Sequence, residues 1–311
     1  MKALVARAYG PVERLAFEEL PTPVPGPDEV LVRTQAAAVN AVDVVLVTGR
    51  MREVLPVRHP FVPGVDVSGV VAAVGSSVTR LDVGDPVLAW LGLASGSLAE
   101  WVLVREDLAA VRPAGLDAAR AAALATGGLT ASALVAAAAI EPWQQVLVWG
   151  AAGGVGSFVV QLAKRAGAEV VATGRPEDVE YLRGLGADRV IDYTTGDVVR
   201  ETRRPVPGGV DAVIDVAHVG PDLLEAAAAV RDGGRVVYVL GGPPPALDRG
   251  VTAVYAGAAD APEGRLRELA EQAADGGVRV ELSGVYAFAD AKRALADFAT
   301  GHVRGKLAIT F

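Results

Sequence analysis

The stretch from Val146 to Lys164, VLVWGAAGGVGSFVVQLAK, restricts this chain more than any other, because an apolar run, a glycine cluster and an amphipathic segment follow one another without a break. Val146 to Trp149 reads as a strand buried on both faces, as in a parallel sheet. From Val155 onward Val155, Phe158, Val159, Leu162 and Ala163 recur at three- and four-residue spacing, which gives one apolar helical face. Between them Gly150, Gly153, Gly154 and Gly156 allow a tight turn and let a ligand approach the backbone with no Cβ in the way. The amides of the first helical turn, with the positive end of the helix dipole behind them, then face an anion such as a pyrophosphate. An isolated glycine turn carries little weight. A strand before it and a helix after it make it specific.

Composition removes several competing readings. With 311 residues the chain has room for two domains, and an apolar fraction of 51% supplies their cores. No stretch of about 18 uninterrupted apolar residues is present, and the alanine-rich run from Ala131 to Ile140 is shorter than a membrane span. The N-terminal KALVARAYG alternates like a strand and does not resemble a signal peptide, so a cytoplasmic location is expected. Zero cysteines exclude disulfides, thiolate chemistry and the usual structural zinc site. His59, His218 and His302 are widely separated, so no metal is expected. A net charge of −8 speaks against a broad nucleic-acid footprint.

The pattern changes near residue 115. Before it, short valine-rich strands are punctuated by Pro21, Pro23, Pro25, Gly26 and Pro27 and by Gly-containing turns, which predicts a barrel-like all-β unit. After Pro113, helices and strands alternate. A helix is expected from Leu116 to about Ala139, interrupted at Gly127 and Gly128. Strands are expected at Val146, at Glu169 to Thr173, Arg189 to Asp192, Val210 to Val216, Arg235 to Leu240 and Val251 to Tyr255. This alternation predicts a parallel, doubly wound sheet. Glu263 to Ala274 and Asp290 to Ala299 read as amphipathic helices. Lys306 to Thr310 reads as a last strand with no place in that sheet, and it is expected to return to the first domain. The expected division is 1–118 with 260–311, and 119–259.

The end of the second strand bears on which dinucleotide is bound. An NAD site carries Asp or Glu there to accept from the adenosine ribose. This chain has Thr173, Gly174 and Arg175 instead, and a guanidinium suits a 2′-phosphate. NADPH is therefore expected, with Tyr193 after the third strand as a second contact. Against this, Glu177 and Asp178 stand close enough in sequence to neutralise Arg175, unless they serve the first turn of the helix after Pro176.

Taken together, PTPVPGPDEVLVR, AAVNAVDVVLVTG, PFVPGVDVSGVVAAVGSSVTRLDVGDPV, ATGGLTASALV, AAGGVGSFVVQLAK, LGADRVIDY and GHVRGKLAIT resemble the zinc-free, quinone oxidoreductase or zeta-crystallin-like branch of the medium-chain dehydrogenase and reductase superfamily. The resemblance spans essentially the whole chain. It implies an α/β protein with a GroES-like β-barrel catalytic domain and a Rossmann domain, NADPH as cofactor, a small quinone or enone as substrate, and a homodimer. Zinc-dependent relatives have a His-Glu pair where this chain has Val65 and Asp66.

Carried over position by position, the resemblance names Asn40 and Asp43 as catalytic residues, with Asn40 also at the nicotinamide end. Thr130 is implied at the nicotinamide half. Ala152, Gly153, Gly154 and Val155 are implied at the pyrophosphate, and Gly174, Arg175 and Tyr193 at the 2′-phosphate. Val216, Ala217 and His218, then Leu240, Gly241 and Gly242, are expected along the two riboses, and Arg304, Gly305 and Lys306 in a tail over the cofactor. Some relatives have a pocket tyrosine shortly after the Asn. Here Val44, Val45, Leu46 and Val47 follow, which predicts a more apolar pocket wall. Reduction of a quinone or an α,β-unsaturated carbonyl compound is the leading expectation. An enoyl reductase acting on a carrier-bound metabolite, and a low-turnover NADPH-binding protein, remain alternatives.

Overall fold

Between Glu29 and Val111 alternating valines pair as antiparallel strands, because β-branched side chains fit a pleated surface with a buried face. A computed structural model describes residues 1–93 and 96–311. Its first unit comprises Met1–Thr126 and Leu266–Phe311. It begins with β1 (Lys2–Val5), β2 (Ala16–Glu19), β3 (Glu29–Val39), α1 (Ala41–Thr48), β4 (Asp66–Val74), β5 (Pro86–Trp90), β6 (Trp101–Arg105) and β7 (Ala109–Val111). The helix α2 (Ala118–Ala138) runs on into the second unit, Gly127–Arg265.

That second unit contains β8 (Gln145–Trp149), α3 (Gly156–Arg165), β9 (Glu169–Gly174), α4 (Val179–Gly184), β10 (Arg189–Asp192), α5 (Val198–Arg203), β11 (Val210–Asp215), α6 (Leu223–Ala229), β12 (Val230–Tyr238) and β13 (Thr252–Tyr255). The chain ends with α7 (Arg265–Ala274), β14 (Leu282–Ala287), α8 (Ala291–Thr300) and β15 (Lys306–Thr310).

In the second unit six parallel strands stand in the order β10-β9-β8-β11-β12-β13. Counted within the unit this is third, second, first, fourth, fifth, sixth, the order of a doubly wound dinucleotide fold, with ligands at the carboxyl ends of the strands. Leu147, Val213, Val236 and Leu223 form part of its core.

In the first unit the seven-stranded sheet runs β14-β15-β3-β4-β5-β7, with β6 paired to β3. Val30, Val32, Val67, Val71, Val87, Val102 and Val104 fill one core. A second core packs α1 and α8 on the sheet through Leu46, Val47, Leu295 and Ile309. The last strand, β15, pairs antiparallel with β3.

Three expectations need correction. The units divide at 126/127 and 265/266 rather than at 118 and 259, because the first turns of α2 and nearly all of α7 pack with the first unit. The long helix is not interrupted at Gly127. A Cβ there would stand 2.7 Å from the Gly154 carbonyl oxygen and 2.8 Å from the Phe158 ring, so the glycine permits close packing. Of the four residues expected in a pocket wall, Val44, Leu46 and Val47 are instead buried in the second core of the first unit, and Val45 alone is half-buried. The helix α2 is by length and composition apolar enough to cross a membrane, but 78% of its apolar window is buried inside the protein, as in a core helix.

Candidate functional site

The glycine turn lies between β8 and α3 at the carboxyl edge of the parallel sheet. Gly150 has φ +80, a conformation that favours glycine, and its N–H donates to Thr173 Oγ1 at 3.0 Å, which ties the turn to the end of β9. At Gly156 a Cβ would meet the Gly150 carbonyl oxygen at 2.2 Å, so this glycine is demanded by the turn itself. Gly153 is different. Its φ is not positive, and the nearest atom to a Cβ there, the Gly150 oxygen, would be 3.5 Å away, an ordinary contact. Protein packing does not require a glycine at this position, and the open space above the backbone would admit a ligand. Ala152 is buried, while Gly153, Gly154 and Val155 are half-buried ahead of the first turn of α3. The residues present therefore fit a pyrophosphate.

At the tip of β9, Gly174 makes room for α4, since a Cβ would come within 2.6 Å of Leu182 Cδ1. The register pairs Gly174 with Asp192 of β10, which brings Tyr193 next to Arg175. Arg175 Nε donates to the Tyr193 hydroxyl at 3.0 Å. The phenol keeps its own O–H as a further donor. The Asp178 carboxylate accepts from the backbone N–H of Arg175 at 3.1 Å and, with Glu177, adds to the negative field at this guanidinium. Glu177 is 4.0 Å from Arg175 with its side chain 62% exposed, a surface pair that leaves the guanidinium available to an anion.

Beyond β11, Val216 N–H donates to the Trp149 carbonyl at 3.0 Å and so borders the glycine turn. The buried Asp215 carboxylate accepts from the backbone N–H groups of Ala217 and His218, each at 2.9 Å, and lies 2.8 Å from His218 Nδ1. The imidazole also meets the Trp149 ring edge-on, with centroids 4.7 Å apart. The bond to Asp215 holds the His218 pKa above its ordinary value. After β12, Leu240 and Gly241 are half-buried and Gly242, at φ +115, is exposed. Thr130 is buried on α2. The structure thus gathers in the second unit every residue expected at the pyrophosphate, the 2′-phosphate and the riboses, together with Thr130.

Asn40, Asp43, Arg304, Gly305 and Lys306 belong to the first unit. Antiparallel register aligns Leu307 with Val39 and Asp66 with Ala38, so the starts of β15 and β4 meet the end of β3. Three polar side chains converge there. Lys306 Nζ donates to Asn40 Oδ1 and, at 3.2 Å, to the Val39 carbonyl, and lies 3.7 Å from Asp66 Oδ2. Asn40 Nδ2 donates to Asp66 Oδ2 at 2.8 Å. Asp66 Oδ1 accepts from Thr126 N–H at 2.9 Å and from Thr126 Oγ1 at 2.6 Å. Asp43 closes the cluster as the third residue of α1, accepting from Asn40 N–H at 2.8 Å and Gly64 N–H at 3.2 Å.

All four principal members are buried, with Asp66 at 0% and Lys306 at 4% exposure. Burial pushes Asp43 up to about 7, raises Asp66 against the pull of Lys306, and lowers Lys306. A proton on Asp43 leaves Asp66 and Lys306 as a neutral pair, which is how a closed interior accommodates this set. Lys306 is accordingly turned into the protein rather than outward along a tail. Arg304 is exposed, and Gly305, at φ +68, would place a Cβ 2.6 Å from the Glu281 carbonyl. Asp66 and Thr126 are members that sequence reasoning missed; only the alignment of strands distant in sequence reveals them.

A doubly wound dinucleotide unit and a separate, mainly antiparallel unit define a nicotinamide-dependent oxidoreductase of the medium-chain class. Residues 26–114 match the alcohol dehydrogenase GroES-like domain and residues 185–309 the zinc-binding dehydrogenase domain. The chloroplastic quinone-oxidoreductase QR1 of Triphysaria versicolor is 31% identical over 330 residues, covering 99% of this chain and 98% of that protein. The chloroplastic NADPH-dependent alkenal/one oxidoreductase of Arabidopsis thaliana is 34% identical over 321 residues, covering 99% and 79%. The solved quinone oxidoreductase of Coxiella burnetii superposes with a TM-score of 0.88 at 28% identity, covering 100% of this chain and 99% of that one. The chain belongs to the zinc-free quinone oxidoreductase family of the medium-chain dehydrogenases and reductases.

The zinc in the name of the second domain family does not fit the residues here. The sequence has no cysteine, and among the described residues no three His, Cys, Asp or Glu side chains converge on a point. The cation beside Asp66 is the Lys306 ammonium.

Proposed function

We propose that this protein reduces a quinone or an α,β-unsaturated carbonyl compound with NADPH and without a metal. The observation that carries the cofactor choice is the Arg175–Tyr193 pair at the tip of β9, where an NAD site would have a carboxylate. The relatives named for quinone and for alkenal/one reduction support the substrate class.

NADPH, when bound, supplies a hydride, which leaves negative charge on the substrate oxygen. The turn at Gly150 to Gly156 binds the pyrophosphate through backbone N–H groups and the dipole of α3. Arg175 holds the 2′-phosphate by charge-assisted hydrogen bonds, with Tyr193 fixing its guanidinium plane. Asn40 is the residue assigned to the reacting end. Its Nδ2 carries a second N–H whose nearest acceptor, the Ala38 carbonyl, is 3.5 Å away, too long for a strong bond. For this N–H to meet developing negative charge on a substrate it must exchange that weak contact with the Ala38 carbonyl for the substrate oxygen. Asp43 orients Asn40 from its backbone side and is not itself a proton donor to substrate, since both its oxygens face backbone N–H groups.

NADPH oxidation followed against quinones, 2-alkenals and cyclic enones tests the reading. Turnover of at least one of these classes is expected, and tight NADPH binding without turnover of any would overturn it. For the cofactor, Arg175→Ala should weaken NADPH about tenfold or more while leaving NADH nearly unchanged. Equal loss for both cofactors removes the phosphate assignment.

A further inference from the structure

We infer that Lys306 and Asp66 are positioning residues that fix which end of the Asn40 carboxamide faces which way. An amide side chain is nearly symmetric in shape, and its two orientations differ only in where the oxygen and the NH2 point. Here the neighbours decide. An ammonium has only donors, so it accepts nothing from Nδ2 and must face Oδ1. The Asp66 carboxylate has only acceptors when ionised, so it must face Nδ2. With one charge of each sign on opposite ends, a flipped Asn40 would set its oxygen against a carboxylate and its NH2 against an ammonium, inside a buried space where both contacts are costly.

Thr126 holds Asp66 in turn through two bonds to its other oxygen, so the carboxylate cannot rotate away without losing them. Lys306 also draws electron density toward Oδ1, which makes the Nδ2 hydrogens better donors. The pair therefore acts through Asn40, and the inference rests on Asn40 serving the reacting end. Neither charged group needs to touch substrate. This gives a purpose to a buried ion pair in a family member that holds no zinc there.

The test removes the charges while keeping the volume. Asp66→Asn combined with Lys306→Met leaves an acceptor for Thr126 and a neutral, similarly sized neighbour for Asn40, so that no buried charge is orphaned. The double variant is expected to bind NADPH within about twofold of the parent, by protein-fluorescence titration, while kcat falls about tenfold or more with the KM for NADPH unchanged. With selective 15N-asparagine labelling, the Asn40 NH2 resonances should be protected from exchange in the parent and lose that protection in the variant.

Asn40→Ala is measured beside it. Parental kcat in the double variant together with a large loss in Asn40→Ala overturns the inference. Parental kcat in Asn40→Ala overturns it at its premise and withdraws Asn40 from the proposed mechanism. Should the double variant fail to fold, Asp66→Asn with Lys306→Gln keeps polar neighbours of similar size, each able both to donate and to accept, so that neither end of the Asn40 amide is dictated. The same loss of kcat at constant NADPH affinity is then expected, and parental kcat overturns the inference.

Discussion

The glycine turn and the buried cluster around Asn40 solve opposite problems. At Gly150 to Gly156 the chain leaves side chains out, and the polar groups assigned to the cofactor are backbone amides within a few residues of one another. At Asn40 the chain assembles side chains from four distant parts of the sequence, and every one must find its partner or be buried alone. The first region tolerates change in proportion to local geometry. The second fails as a unit, because in a low-dielectric interior the loss of one charge exposes the cost of the other.

The sharpest way to break this contrast is Lys306→Met alone. Asp66 is then buried without its cation, and a loss of about 3–5 kcal/mol of stability is expected, read from denaturant unfolding. A change below about 1 kcal/mol would mean that the cluster is not electrostatically coupled.

Within the turn, the two glycines should separate folding from binding. Gly156→Ala forces a backbone contact to give way and should destabilise by about 1–3 kcal/mol. Gly153→Ala should leave stability within about 0.5 kcal/mol while weakening NADPH by roughly tenfold, since only the ligand needs that space. Equal effects in both assays would erase the distinction.

The most gradual expected effect concerns pH, because it is spread over about three pH units. Asp43 titrates at about 7 in the folded protein, whereas an exposed aspartate ionises at about 4. Between those values the unfolded chain has lost a proton that the folded chain keeps. The contribution is complete below about pH 4 and is lost as pH rises to about 7, with a limiting slope of about 1.4 kcal/mol per pH unit. Relative to the parent, Asp43→Asn should lack this decline, as measured by unfolding at several pH values between 4 and 7. Parallel curves for the two proteins would show that Asp43 is ionised throughout.

The same contrast explains what could be read from the sequence. The turn, the strands of the parallel sheet and the amphipathic α7 and α8 are written in local spacing, so periodicity finds them. Other elements are not. The helix α1 is apolar around nearly its whole circumference because its neighbours in the first unit cover it, and a run such as VDVVLV carries no 3.6-residue pattern. At β14, half-buried and exposed positions alternate, but with Gly284 and Ser283 in place of branched residues, so strand propensity is weak. A break was read at Gly127 because helix propensity alone cannot register the backbone of Gly154 lying against it. Asp66 was visible only as the residue standing where relatives have a metal-binding pair. Its partnership with Lys306 depends on strand register, which no local window contains.

The bond between Lys306 and Asn40 spans 266 residues of sequence. During synthesis Asn40, Asp43 and Asp66 all emerge long before their cation exists, and the first unit cannot complete its charge balance until β15 has been made and has paired with β3. Contacts of such separation form late, after the costly closure of long loops. The nascent chain must therefore carry a half-built first unit through the whole translation of the second, and it is over this interval that the protein is most exposed to chaperones and to misassembly.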